Sequence, residues 1–175
     1  MSTQYKVDPS HTHAQFSVRH MMVSNVRGEF TKLSGEAVID DTNLERSKVN
    51  VTIDAASISS RDEKRDAHLK SADFFDVAKF PTLTFTSKAV RKNGANIEVT
   101  GDLTIHGVTR EVKLAVEELT EAITDPYGIV RRGARASTTI DRKDYGLVWN
   151  ANLDKGGVAV GDKVSINLEA EFIRS

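Results

Sequence analysis

Five histidines, at positions 11, 13, 20, 68 and 106, are the side chains here with the widest chemical reach. His11 and His13 form an H-x-H pair that a strand would point to one side. Zinc asks for three or four such ligands in tetrahedral geometry, and no spacing brings His20, His68 or His106 to complete the set. The pair therefore reads as turn and surface histidines bonded to backbone, with no metal and no cofactor. The chain has no G-x-S-x-G elbow, P-loop, dinucleotide fingerprint or H-E-x-x-H. Cysteine is absent, which excludes disulfides, thiolate metal sites and a cysteine nucleophile. Gly156, Gly157 and Gly161 precede a strand and not a helix, so they are hairpin glycines and no phosphate cradle. No residue is nominated as catalytic. An acid/base role for His20 or His106 is the enzymatic alternative, and it requires a second polar group converging on one of them in a pocket.

What the sequence does repeat is apolar alternation with period two. Ala14, Phe16, Val18 and His20 share one face of a strand over residues 13–20. Residues 26–30 begin the next strand, with Gly28 suited to a bulge or a close approach of backbones. Further strands follow at 35–40 and 49–55, the latter placing Val49, Val51, Ile53 and Ala55 on one face. Leu83 and Phe85 alternate with threonines. Ile97, Val99, Gly101, Leu103 and Ile105 line one face, then Val112, Leu114 and Val116, then Ala134, Ala136, Thr138 and Ile140. Val164, Ile166, Leu168, Ala170 and Phe172 form the last set. Asn93-Gly94, Gly107 and the stretch 125–128 supply tight turns.

This pattern predicts an all-β fold: a single antiparallel, lipocalin-like β-barrel of about eight strands over residues 1–175, with one apolar face turned inward. A barrel of that size either fills itself or holds one small ligand. Small residues on several strands, Ala14, Ala55, Gly101, Ala134, Ala136 and Ala170, leave both outcomes open, so a dry structural or interaction module stands as a further alternative. If the barrel holds a ligand, its wall comprises Phe16, Val18, Val51, Ile53, Phe85, Leu103, Ile105, Leu114, Ile166, Leu168 and Phe172. His20, on the same face as Phe16 and Val18, would meet a headgroup or a neighbouring strand.

One stretch breaks the alternation. Residues 61–77 predict a short helical insertion, capped by Ser60 with Glu63 three positions on and followed by a turn from Ser71. Its charges, Arg61 to Asp66, read as a solvated face with i,i+4 pairs, while Ala67, Leu69 and the stem of Lys64 turn inward. Pro81 ends it and sends the chain into a strand. Phe74, Phe75 and Phe80 would then cover one end of the barrel, with Tyr145 and Trp149 at its mouth.

Twenty-four basic against twenty-five acidic residues give a net charge of −1, which offers nothing to nucleic acid. No run approaches the roughly 20 apolar residues of a membrane-spanning helix. The N-terminus has neither basic n-region nor apolar h-region, so a cytoplasmic protein is expected. An exposed sheet edge leaves a homodimer open.

Seven stretches together resemble the YceI-like family of lipocalin-like polyisoprenoid- and lipid-binding proteins. They are DPSHTHAQFSVRH (8–20), VRGEF (26–30), RDEKRDAHLKSADFFD (61–76), KFPTLTF (79–85), GDLTIHGVTR (101–110), DRKDYGL (141–147) and VGDKVSI (160–166). The resemblance implies an extended antiparallel barrel with a helical insertion and a long, narrow apolar tunnel. It also implies a long-chain amphiphile as partner, such as a polyisoprenoid, an isoprenoid quinone or a fatty amide, carried without chemistry. Many members of that family carry a leader and are periplasmic.

Overall fold

A computed structural model describes residues 1–175. Twelve strands follow in chain order: β1 (Ser2–Val7), β2 (His13–His20), β3 (Ser24–Phe30), β4 (Leu33–Asp40), β5 (Lys48–Asp54), β6 (Ile58–Ser59), β7 (Thr82–Asn93), β8 (Asn96–Ile105), β9 (Val108–Leu119), β10 (Ile123–Thr124), β11 (Val130–Asp141) and β12 (Val160–Arg174). One α-helix, α1 (Glu63–Lys70), lies between β6 and β7. The ring β11-β9-β8-β7-β5-β4-β1-β12 closes on itself through β11–β12, giving an eight-stranded antiparallel barrel with extra strands outside it.

The 15-residue strand β12 makes the closure possible. Along one edge it pairs with β11, from Asp141↔Lys163 to Arg131↔Ile173. Its other edge is shared. The C-terminal part pairs with β1, as in Val7↔Phe172, and the N-terminal part pairs with β2, from Glu169↔His13 to Val160↔His20. β2 leads on to β3 and β6, so this hairpin forms a flap beside the ring. The barrel consequently has two unlike ends. β12 enters at the end covered by α1 and leaves at the far end.

Alternation sets the inward face as the sequence predicts, and register aligns it across strands, as in Val51↔Phe85 and Phe85↔Leu103. The sequence reading missed β1, whose buried Tyr5 and Val7 complete the ring.

The helix differs in its start. It runs from Glu63 to Lys70, and its N-cap is Asp62, which accepts from the Arg65 N–H at 2.9 Å. Arg61 has a left-handed φ of 63°, so the chain turns there and the helix begins after it. Ser60, the expected cap, instead bonds Asp66 through its N–H at 2.8 Å. None of the expected i,i+4 ion pairs closes within 4 Å; Arg65 turns to the Ser60 carbonyl at 2.7 Å. Residues 71–80 fold back on the helix, with the Phe75 N–H donating to Leu69 O at 2.9 Å and that of Val77 to Lys70 O at 3.1 Å. Ala67 is exposed, against expectation, while Leu69 faces inward.

Candidate functional site

The barrel encloses a cavity of about 820 Å³, inside the 300–1,000 Å³ range of small-molecule sites. Forty of its 53 wall residues are hydrophobic, so it is an apolar container. The barrel is therefore not filled by its own side chains. Two glycines help explain the space. A Cβ on Gly28 would lie 2.5 Å from the Phe16 ring, and one on Gly101 would lie 2.5 Å from the Phe85 ring. Each ring thus occupies the space that a side chain on the glycine of the neighbouring strand would take. Ala14, Ala37, Ala134, Ala136 and Ala170 keep the wall thin elsewhere.

The predicted wall residues Phe16, Val18, Val51, Ile53, Phe85, Leu103, Ile105, Leu114, Ile166, Leu168 and Phe172 all border this cavity. So do His20, Phe74, Phe75 and Trp149. Tyr145 does not. Placed by the sequence reading at the mouth, it is only 1% exposed and packs with Phe30, Leu83, Ile105 and Leu147. The short 3₁₀ turn Arg142–Tyr145, ended by left-handed Gly146, points its ring into the core. Its hydroxyl has no hydrogen-bond partner, and burial pushes its pKa up to about 12. Phe80 is not on the wall either; it packs against His106, ring centroids 4.6 Å apart.

An aromatic group closes the α1 end. Phe75 meets Phe30 edge-on at 5.6 Å, and Phe74, Trp149 and His68 pack against one another at 4.7–5.4 Å. Beside it the wall reaches solvent. Arg19, His20, Met21, Asp62 and Lys64 are both wall residues and exposed. Exposed His13, Gln15 and Lys48 touch the cavity nearer the far end.

Charge on the wall is one-sided. Arg19, Lys48, Lys64, Arg65 and Arg142 face a single carboxylate, Asp62. The inward turn expected for the Lys64 stem matches its place on the wall, whereas Arg65, expected on the solvated face, was missed. The available signal was spacing: Lys64 and His68, like Arg65 and Leu69, stand one helical turn apart on the face that Leu69 turns inward. Arg142 is a different case. It is buried, and its guanidinium donates to the carbonyls of Gly161 at 2.8 Å, Leu147 at 2.6 Å, Trp149 at 2.9 Å and Val160 at 3.3 Å. Burial lowers its pKa from the usual arginine value, with Asp162, 3.9 Å away, opposing the shift. It ties the segment 147–161 to the barrel, and nothing in local sequence announces that role.

The histidines do not assemble a reaction centre. His20 is exposed at the strand end and hydrogen-bonds no side chain, and His106 bonds the Tyr145 carbonyl at 3.2 Å. His68 Nε2 meets Asp73 at 2.8 Å, but the wall hydroxyls of Thr12, Ser47 and Thr138 bond no histidine. His13 pairs loosely with Glu29 at 3.6 Å. His11, Asp8 and Glu171 do lie close enough to suggest a metal site. Arg131 takes those carboxylates instead, 2.9 Å from Asp8 and 2.7 Å from Glu171. The Ser10 hydroxyl and then His11 hold the Asp8 carboxyl far below the ordinary range, and Asp125 above all raises the Arg131 pKa.

Residues 5–172 match the model of the YceI-like domain. The protein YceI of Escherichia coli is 38% identical over 149 residues, which cover 84% of this chain and 78% of that protein. A UPF0312 protein of Pseudomonas paraeruginosa is 36% identical over 176 residues, covering 99% of this chain and 88% of its own. Among solved structures, the Campylobacter jejuni YCEI protein is 30% identical, with a TM-score of 0.74 and 90% of each chain covered. BcnA of Burkholderia cenocepacia shares the fold at a TM-score of 0.82 and 23% identity, covering 94% of this chain and 98% of its own. A Saccharophagus degradans domain, described as polyisoprenoid binding and implicated in plant cell wall breakdown, shares it at 0.67 and 18%, with 98% of each chain covered.

Proposed function

The chain belongs to the YceI-like family, and we propose that it is a non-enzymatic carrier for a long-chain amphiphile: a polyisoprenoid, an isoprenoid quinone or a fatty amide. The hydrocarbon would occupy the barrel and the headgroup would stay near the α1 end. The observation that carries this reading is a continuous apolar cavity of about 820 Å³ whose wall reaches solvent beside α1. The polyisoprenoid-binding description of the Saccharophagus degradans neighbour supports the same class of ligand.

Physical chemistry makes such binding effective without specific contacts. Burying a methylene is worth about 0.8 kcal/mol, so ten of them contribute about 8 kcal/mol, the scale of a micromolar dissociation constant before ordering costs. A wall of this kind selects for length and apolarity more than for exact chemistry. The absence of a base–nucleophile pair around His20, His68 or His106 is why the reading assigns no reaction.

Native mass spectrometry of freshly purified protein, followed by organic extraction, tests it. A bound long-chain species, or uptake of a long-chain fluorescent probe by stripped protein, is expected. Protein that emerges empty and also refuses such probes would overturn the reading.

A further inference from the structure

The rim of the cavity mouth exposes apolar side chains at the turn between β2 and β3. β2 and β3 are joined by three residues, Met21, Met22 and Val23, in a turn where the Val23 N–H donates to His20 O at 3.1 Å. Both methionines take left-handed φ, 52° and 63°, in a turn where asparagine and glycine are the favoured pair. Water favours neither the backbone nor the side chains of this tip. Met21 and Met22 are exposed, and Val23 is 75% exposed. The segment 147–161 lies alongside: the Met21 N–H donates to Ala159 O at 2.8 Å, and the Met22 side chain packs over Gly157. That segment exposes Val148, at 62%.

Three cations without a carboxylate partner belong to this end: Arg19 beside the tip, Lys155 on the adjoining segment and Lys64 on the cavity wall. Arg19, Lys64 and Lys155 have no carboxylate within 4 Å, in a protein whose net charge is −1. Arg19 donates to the Met22 carbonyl at 3.1 Å, which holds its charge beside the tip. Lys155 sits on the turn that precedes Gly157, with Asp154 as its neighbour in the chain. The nearest acid on the wall, Asp62, is engaged in capping α1.

We propose that this rim, with Met21, Met22, Val23 and Val148 at its tip and Arg19, Lys64 and Lys155 around it, docks on the surface of an anionic phospholipid bilayer. The proposal rests on the carrier reading above and adds to it the place where the ligand enters and leaves. The apolar tip enters the headgroup boundary while the cations lie at the level of the lipid phosphates, the arrangement that peripheral membrane attachment requires. Methionine side chains are flexible and adapt to irregular apolar surroundings such as acyl chains. Docked this way, the mouth opens directly onto lipid, and an apolar ligand passes between bilayer and barrel without crossing water. A stable protein partner would need about 800 Å² from each side, whereas the tip is a narrow projection of a few side chains. Charge complementarity favours the bilayer over a second copy of this chain, which would bring the same cations face to face.

Cosedimentation with phospholipid vesicles tests this. The wild-type protein is expected to bind vesicles in which about a third of the phosphatidylcholine is replaced by phosphatidylglycerol, and to release as salt rises. The double variant Val23→Asp/Val148→Asp should bind at least about tenfold more weakly, and Lys155→Gln about fivefold more weakly. None of these three side chains lines the cavity, so uptake of a long-chain probe in vesicle-free solution should be unchanged in the variants. That second readout separates the two ideas: loss of uptake by the wild type strikes the carrier reading, and vesicle binding is measured independently of it. No binding to anionic vesicles at low salt, or binding indifferent to Val23→Asp/Val148→Asp, overturns the proposal. So does a wild-type dimer in sedimentation velocity that those substitutions convert to monomer, because the patch would then belong to a second copy.

Discussion

At the far end of the barrel, Arg131 joins Asp125 at 2.7 Å, Glu171 at 2.7 Å and Asp8 at 2.9 Å, and Arg132 joins Asp41 at 2.6 Å. Asp40 caps the adjoining turn through Thr42 and Asn43. At the α1 end the charged contacts are smaller and local: Arg65 and Asp66 bond Ser60, and Asp162 lies 3.2 Å from Lys143 and 3.9 Å from Arg142. Closure there rests on the rings of Phe30, Phe74, Phe75 and Trp149, and on one buried guanidinium bonded to carbonyls. The difference is mechanical. Charge-assisted hydrogen bonds are directional and interlocked, so a seal made of them opens as a unit or stays shut. Packed rings slide past one another at small cost for each displacement, so an apolar seal can part locally and admit an apolar guest. On the carrier reading, the charged end serves as the base and the α1 end as the portal.

The sharpest break in this comparison is expected at Arg142, the buried charged tether at the α1 end. Arg142→Ala strips donors from four carbonyls around the segment 147–161. Unfolding in urea should show a loss of about 3 kcal/mol. Arg142→Lys should recover little of it, because one ammonium cannot reproduce the planar fork. A loss below about 1 kcal/mol would mean that the segment holds itself and the portal needs no charged anchor.

At the base the corresponding change is Arg131→Ala, which leaves Asp8, Asp125 and Glu171 without their shared cation. A loss of stability at neutral pH is expected, read as a lower urea midpoint. Here the effect depends on pH. The carboxyls of Asp8 and Asp125 titrate below their ordinary values in the folded protein: Asp8 chiefly through the Ser10 hydroxyl, Asp125 chiefly through Arg131. Asp40 falls to about 2, mainly through Thr42. A carboxyl whose folded pKa is depressed stabilises the fold above its unfolded value, near pH 4, and loses that contribution as pH falls through the folded value. Wild-type stability should therefore drop below about pH 4, and Arg131→Ala should flatten that drop. An equally steep acid loss in the variant would place its origin outside this network.

A smaller effect on stability, and a larger one on exchange, distinguishes the portal rings. Phe75 borders the cavity and is only half-buried. Phe75→Ala should speed the release of a long-chain probe roughly tenfold, equivalent to about 1.4 kcal/mol off the barrier, while equilibrium stability falls by a similar or lesser amount. Stopped-flow release and urea unfolding on the same variant decide it. If stability collapses and release from the remaining folded protein is unchanged, the ring is core and not gate.

Much of the barrel was legible because period-two alternation is a direct image of a two-faced wall. Ile166, Leu168 and Phe172 announce their side of β12 without any help from the rest of the chain. β1 was not legible, because in six residues only Tyr5 and Val7 carry the pattern and its pairing with both β4 and β12 is long-range. The wall side chains were readable for the same reason as the strands. Arg142 and Tyr145 were not: a turn of four residues has no periodicity, and which way it aims depends on neighbours far away in sequence. The α1 cap misled for a local reason. Ser60 and Glu63 fit the capping pattern, but the left-handed Arg61 between them moves the start of the helix to Asp62.

Tyr145 carries the smallest and most diagnostic expectation. It stands between the two kinds of closure, inside the cluster that supports the portal, with a hydroxyl that finds no acceptor. A hydroxyl buried without a partner costs on the order of 1–3 kcal/mol relative to one that is satisfied. Removing it while keeping the ring preserves every apolar contact, so Tyr145→Phe should stabilise the fold by about 1 kcal/mol, read as a higher urea midpoint with an unchanged slope. The phenol also titrates only near pH 12, so the gain should be flat across neutral pH. If Tyr145→Phe instead destabilises, the hydroxyl has a partner, and the portal's support is polar after all. The contrast between a charged base and an apolar portal would then have to be redrawn at this residue.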